Sequence, residues 1–179
     1  MTVRNGEKYF GWHMSYRQTV LYSRQDLGRK DETVLSQKCK YALQALLVLA
    51  RENSDELLLV SEIAEREKLP KKFLEAILLE LNRNGLVRSR RGRGGGYALA
   101  KPADLITFGQ VVRIMDGPLA PLSCVSVNYY RRCDDCKDEQ SCEIRRVMRR
   151  VRDAIANELD GTSLAAALNS SKTKELLAG

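Results

Sequence analysis

The sequence is short of several residue types, and each shortage excludes something. It has a single histidine, His13, near its start, where it reads as solvated, so residues 35–179 contain no imidazole. No uninterrupted apolar run approaches the roughly 20 residues that a membrane-spanning helix needs. The opening residues, MTVRNGEKYFGWHMSYRQ, lack the apolar stretch of a secretory signal. These absences point to a cytoplasmic chain with no membrane contact, in a compartment where thiols stay reduced. Aromatics make up only 6% of the residues, while Ala, Leu, Glu and Arg abound, which favours a mainly helical protein. At 179 residues the chain can bury a core without disulfide staples.

What is present is basic charge and clustered cysteine. Thirty Lys and Arg against twenty-three Asp and Glu leave a net charge of +7, which suits a polyanionic partner. The basic residues are grouped: Arg88, Arg90, Arg91 and Arg93 in one short stretch, and Arg145, Arg146, Arg149, Arg150 and Arg152 in another. Four of the five cysteines fall in CVSVNYYRRCDDCKDEQSC, residues 124–142, with the pattern C-x8-C-x2-C-x5-C. Cysteine usually behaves as a small buried hydrophobe, but charged neighbours argue against burial here. Cys133 and Cys136 share one turn, as a metal-ligand pair does, and Cys124 and Cys142 complete a set of four. Four thiolates satisfy zinc or an iron–sulfur cluster; the spacing does not separate these from each other or from metal-free redox thiols. Arg131 and Arg132 are expected to lower the neighbouring thiol pKa values. Cys39 reads as a buried, inert thiol.

Residues 1–34 read as a flexible extension, and translation could instead begin at Met14. Ser36 is placed to cap a buried helix over SQKCKYALQALLVLARE. LLLV follows as a short strand, then Ser61 as the cap of a helix reaching Leu69. Pro70 suits the first turn of PKKFLEAILLELNRNG. There Phe73, Leu74, Ile77, Leu78 and Leu81 form the buried stripe, Lys71, Lys72 and Glu75 face outward, and Gly85 is the stop. Leu86-Val87 and Tyr97-Ala98-Leu99 read as two strands of a hairpin. Its tip, Arg91-Gly92-Arg93-Gly94-Gly95-Gly96, is basic and glycine-rich. This order is that of a winged helix-turn-helix, whose second helix enters the major groove and whose wing arginines reach phosphates or the minor groove. A nucleotide-cradling loop is excluded, because no Gly-Lys-Ser/Thr follows.

Thr107 then caps a helix bearing Phe108, Val111, Val112 and Met115, ended by Gly117-Pro118. From Glu143 a long helix carries Ile144, Met148, Val151, Ile155 and Leu159 in a near-heptad seam suited to pairing with a second helix. Gly161 ends it, and Thr162 caps a last turn. The fold class is mainly α with a small β-hairpin wing. The expected divisions are an extension (1–34), the winged helix-turn-helix (35–100), a connecting helix and linker (101–123), the cysteine segment (124–142), a dimerisation helix (143–161) and a tail (162–179).

The strings LSQKCKYALQALLVLA, LPKKFLEAILLELNRNGLVRSRRGRGGGYALA and ITFGQVVRIMDGP, followed by the cysteine segment and the long helix, resemble the Rrf-type (IscR/NsrR/RirA-like) bacterial regulators. The resemblance implies a homodimer, crossed through the long helices, on an inverted-repeat operator in double-stranded DNA. It places Lys72 and Glu75 at base-reading positions, Arg91 in the minor groove, and Lys40 and Tyr41 against phosphates. Ser61, Lys71, Arg88, Arg90, Arg93, Gly94 and Gly95 complete the expected DNA-facing set.

The same resemblance implies an iron–sulfur cluster, [2Fe–2S] or [4Fe–4S], with Cys124, Cys133, Cys136 and Cys142 as the candidate ligands; zinc or no cofactor are the alternatives. The Cys136–Cys142 gap matches the family. The first family ligand would fall near Tyr130, so Cys124 or Cys133 must replace it, and a histidine fourth ligand is excluded. The expected function is a DNA-binding transcriptional repressor whose operator affinity follows the cluster or redox state. A zinc-stabilised or thiol-based DNA-binding protein is the alternative. A thiol oxidoreductase using Cys133 and Cys136 is disfavoured, because C-x-x-C does not open a helix within a βαβ pattern.

Overall fold

The computed structural model describes residues 35–52 and 57–170. The expectations for residues 1–34, including His13 and Met14, and for 171–179 lie outside the described residues. Helix α1 (Gln37–Glu52) is the centre of the molecule. Ser36 caps it, its Oγ accepting the Cys39 N–H at 3.0 Å. Asp116 ties this end to the rest of the core by accepting the Ser36 N–H at 2.9 Å and the Ser36 hydroxyl. Apolar residues on most of its circumference let α1 bury Ala42, Leu43, Leu46 and Leu49 against three other helices.

Helix α2 (Val60–Arg66) opens two positions earlier than expected, with Leu59 in the N-cap position. Glu62 reaches back to accept the Leu59 N–H at 2.7 Å, so Ser61 lies inside the first turn, exposed, and is not the cap. The helix also stops short of Leu69, because Lys68 takes a left-handed φ of 53°. Helix α3 (Lys71–Arg83) buries Leu74, Ile77, Leu78 and Leu81, each worth about 1.5–3 kcal/mol when fully covered. Phe73 is not part of that stripe: it stays 41% exposed. Its ring meets Tyr41 edge-on, centroids 5.8 Å apart. Gly85, with φ of 69°, ends the helix as expected.

Strands β1 (Val87–Arg90) and β2 (Gly96–Leu99) pair antiparallel, with Val87 opposite Leu99 and Arg90 opposite Gly96. The strand expected over LLLV contracts to Leu58, which exchanges both backbone hydrogen bonds with Tyr97 at 2.9 and 2.8 Å. That exchange fixes strand β2 of the wing to the chain just before α2. Helix α4 (Phe108–Met115) is capped by Thr107, whose Oγ accepts the Gln110 N–H at 3.2 Å.

Helix α5 (Glu143–Gly161) has no buried residue at all. It meets α4 where Gly109 lacks a side chain, since a Cβ there would run into the Asp160 carboxylate. Arg113 clasps that carboxylate through both nitrogens, at 2.5 and 2.8 Å. A last helix, α6 (164–170), is capped by Ser163 and not Thr162: the Ala166 N–H donates to Ser163 Oγ at 3.1 Å. Thr162 instead accepts the Phe108 N–H at 3.0 Å. Residues 162–170 are therefore no loose tail. Leu164 is fully buried, and its N–H donates to Ile106 O at 2.9 Å.

Candidate nucleic-acid interface and cysteine segment

Helix α3 and the hairpin each expose polar and basic side chains. Lys71, Lys72, Glu75 and Ala76 are exposed on the side of α3 opposite its buried stripe. Lys40 is exposed on α1, while Tyr41 is half-buried by its contact with Phe73. Ser61 is exposed in the first turn of α2, the helix that precedes α3. Lys38 and Glu80 hold α3 against α1 through an ion pair of 2.7 Å that sequence reasoning missed, because nothing in the sequence marks two residues so far apart as partners.

The wing is shaped by its glycines and by one of its arginines. Gly92 and Gly94 take φ values of 93° and 74°, which an L side chain rarely adopts. The Arg90 guanidinium crosses the loop to donate to Gly94 O at 2.7 Å. Arg90 thus braces the tip, whereas Arg91 and Arg93 are exposed at it. Arg88 is exposed on β1. Gly95, also in the expected contact set, is buried, and its N–H donates to Gly92 O at 2.9 Å within the loop.

The cysteine segment begins with a turn at Ser123–Val125 in which Cys124 is only 4% exposed. Burial does therefore account for one of the four thiols. Cys133, Cys136 and Cys142 are half-exposed. The Cys136 N–H donates to Cys133 O at 3.3 Å, closing the C-x-x-C turn. Arg132 braces that turn by donating to Cys136 O and Lys137 O at 2.9 and 3.1 Å. The Asp138 carboxylate accepts the Gln140 and Ser141 N–H groups, both at 3.1 Å.

Cys133 lies beside Cys124 and Cys136 beside Cys142, and Cys136 also acts on Cys133. A hydrogen bond with Cys124, helped by burial, raises the Cys133 pKa. Burial and then the neighbouring Cys142 raise that of Cys136, with Arg132 acting the other way. The expected lowering by arginine acts only on Cys136, from Arg132, and is outweighed there. Among the described residues no three Cys, His, Asp or Glu side chains converge as one metal ion requires.

The segment is wired to α5. Cys142 is the N-cap of that helix, its Sγ accepting the Arg145 N–H at 3.4 Å. Arg145 Nε donates to Cys124 O at 3.2 Å, and Arg152 Nη1 to Val125 O at 2.7 Å. The sequence showed these arginines as a basic group and gave no hint that two of them anchor the preceding turn.

Comparison with known proteins accounts for this architecture. The Rrf2 model, described as an iron-dependent transcriptional regulator, matches residues 35–170. An rrf2-like HTH-type transcriptional regulator of Rhodobacter capsulatus is 50% identical over 121 residues, which cover 66% of this chain and 81% of the relative. The regulator IscR of Erwinia tasmaniensis is 30% identical over 135 residues, 75% of this chain and 78% of the relative. Among solved structures, CymR, the global cysteine regulator of B. subtilis, superposes with a TM-score of 0.64 at 29% identity, covering 77% of this chain and 98% of that one. IscR of T. potens gives 0.62 at 28% identity, covering 78% and 89%. No helix among the described residues is long and apolar enough to cross a membrane. The chain is a winged-helix transcriptional regulator and not an enzyme: it belongs to the Rrf2 family.

Proposed function

We propose that this regulator is a cytoplasmic homodimer that represses by binding an inverted-repeat operator in double-stranded DNA, and that the cysteine segment sets its operator affinity. The observation that carries the reading is the direct hydrogen bonding of the cysteine turns to α5 by Arg145 and Arg152. Helix α5 leaves Ile144, Val147 and Val151 exposed at 65, 46 and 39%, an apolar stripe that a second copy would cover. A change in the cysteine turns then alters the helix that spaces two copies of α3. On each copy Lys72 and Glu75 address base edges, Lys71, Lys40, Arg88 and Arg93 address phosphates, and Arg91 addresses the minor groove.

Four thiols in one segment suit an iron–sulfur cluster, [2Fe–2S] or [4Fe–4S], and the neighbouring of Cys133 with Cys124 and of Cys136 with Cys142 supports that reading over a single ion. Zinc needs all four about one point. When bound, such a cluster would supply a redox-active centre whose loss or oxidation releases the segment, because ligation free energy orders the residues that bind. The same proximity favours a second reading, in which the metal-free thiols close as disulfides.

The test is operator titration with anaerobically purified protein, before and after oxidation, beside its visible spectrum and its iron and sulfide content. Ser substitution at Cys133, Cys136 or Cys142 is expected to remove the response and leave the winged helix folded. Iron and sulfide in the protein would select the cluster, and their absence with a persisting response would select the disulfides. Operator affinity indifferent to every state of the cysteines would overturn the reading.

A further inference from the structure

Beside Cys142 lies an open groove of about 460 Å³ whose walls include Arg145, Arg146, Arg149 and Arg150. Arg145 is occupied, with Cys124 O at 3.2 Å and Glu139 at 3.9 Å. Arg146, Arg149 and Arg150 are exposed and have no ion pair among the described residues. They stand three and four apart on one face of a helix, where like charges repel. Arg146 is two positions from Ile144, roughly 200° around the helix, and Arg149 is two positions from Val147 and Val151, so these two point away from the apolar stripe and stay open if a second copy covers it, while Arg150 flanks its edge. Cys142 is the one thiol on the groove wall, half-exposed, with its sulfur at the first turn of α5 and Cys136 beside it.

The groove has one acid on its wall, Glu139, which faces Arg145; the three further guanidinium groups of Arg146, Arg149 and Arg150 outnumber it and select carboxylates, which they bind through paired hydrogen bonds. An accessible sulfur in electropositive surroundings, next to a second thiol, is the arrangement of a reactive cysteine with its resolving partner. We propose that the groove docks a low-molecular-weight disulfide bearing carboxylates, and that Cys142 accepts its sulfur. The proposal deepens the reading of the cysteine segment as the sensor. The Cys142 sulfur attacks one sulfur of the docked disulfide. A protein–ligand S–S bond forms, the ligand's own S–S bond breaks, and one half leaves as a thiolate. Cys136 then attacks the Cys142 sulfur, forms the Cys136–Cys142 bond and expels the second half. The protein loses two protons and two electrons, and the ligand disulfide gains both as two thiols. Because the Cys142 sulfur accepts the Arg145 N–H, the exchange alters the cap of α5.

The test compares oxidised glutathione, which carries carboxylates, with cystamine, which is cationic. Each is mixed with the full-length chain, reduced and freed of metal by a chelator. Mass spectrometry follows the adduct, and each rate is divided by that disulfide's rate with free cysteine, since leaving-group pKa also sets the speed. Oxidised glutathione is expected to be favoured by about tenfold or more at low salt, the advantage shrinking as ionic strength rises. Arg149→Glu with Arg150→Glu should reverse the preference, and the Arg→Gln pair should abolish it, which guards against a reversal variant that misfolds. Cys136→Ser should trap the mixed disulfide on Cys142. Equal corrected rates for the two disulfides, or an adduct on Cys133 in place of Cys142, would overturn the proposal. Charge-selected exchange that leaves operator affinity unchanged would uphold the docking site and remove the sensor reading instead.

Discussion

Arg152 reaches from the middle of α5 to the Val125 carbonyl at 2.7 Å, joining the turn that buries Cys124 to the helix that carries the apolar stripe. Its side chain is only 18% exposed, so water competes weakly for the bond. A hydrogen bond to a charged group contributes about 1.5–3 kcal/mol. Arg152→Ala should lower stability by an amount in that range in denaturant titration. It should also shrink the difference in operator affinity between reduced and oxidised protein, because the cysteine turns would no longer pull on α5. An undiminished difference would mean that the signal takes another route.

The wing arginines are expected to separate by role. Arg91→Ala and Arg93→Ala each remove an exposed charge from the tip, so each should weaken operator binding and lower the salt dependence by about one phosphate contact. Arg91→Ala should in addition weaken any preference for A·T pairs at the wing. Arg90→Ala removes the brace on Gly94 and should weaken binding with the salt slope unchanged. Titrations at several salt concentrations distinguish the two patterns, and a slope that falls with Arg90→Ala would make that residue a phosphate contact.

Leu164→Ala tests whether the last helix belongs to the core. The side chain is fully buried in the hydrophobic core that also holds residues of α1, α3 and α4. A cavity of this kind costs about 2–5 kcal/mol. Thermal unfolding should show one transition at a lower temperature. A negligible change would make residues 162–170 the tail that their composition suggests.

That residue also shows where the sequence could be read and where it could not. Elements with a long apolar period, such as α1, α3 and α5, and turns with a backbone requirement, such as Gly85 and the wing glycines, were legible, because each is decided by neighbours within a few positions. Ser61 has the side chain of a cap, but Glu62 reaching back to the Leu59 N–H sets the helix start two positions earlier, and both devices suit the same stretch of sequence. Leu164 sits in an Ala-rich run whose amphipathic pattern is too short to be told from a fraying end. Which thiols lie side by side, and the roles of Arg145 and Arg152, depend on contacts across a segment with no regular structure. No periodicity encodes these, and the charged neighbours of Cys124 gave no sign that its backbone turns inward.

Cys39 supplies a contrast to the sensor thiols. It is fully buried. Burial first, then the Asp116 carboxylate, push its pKa from the ordinary 9.0 up to about 12. In the folded protein it should therefore resist iodoacetamide at pH 8 while Cys142 reacts, as peptide mass mapping would show. The neutral thiol is the form that the fold favours. Its contribution to stability is fully present below 9.0 and is lost as pH climbs through the folded value of about 12. Cys39→Ala should accordingly flatten the loss of stability on the alkaline side. Rapid labelling of Cys39 at pH 8 would contradict the packing around α1.

The last prediction concerns the exposed stripe of α5. Val151 lies mid-helix at 39% exposure, between Met148 and Ile155 on the same face. If two copies close over this face, Val151→Glu places a carboxylate from each copy in an apolar seam with no partner of opposite charge on that stripe. A buried, unpaired charge costs about 3–5 kcal/mol, which raises a dissociation constant by at least about 100-fold. Light scattering should then find monomers at concentrations where the unaltered chain is dimeric, and operator affinity should fall with the loss of the second half-site. Circular dichroism should change little, because Val151 is 39% exposed within its own chain. An unaltered protein that scatters as a monomer would refute the dimer outright. A Val151→Glu protein that stays dimeric would move the interface off this face.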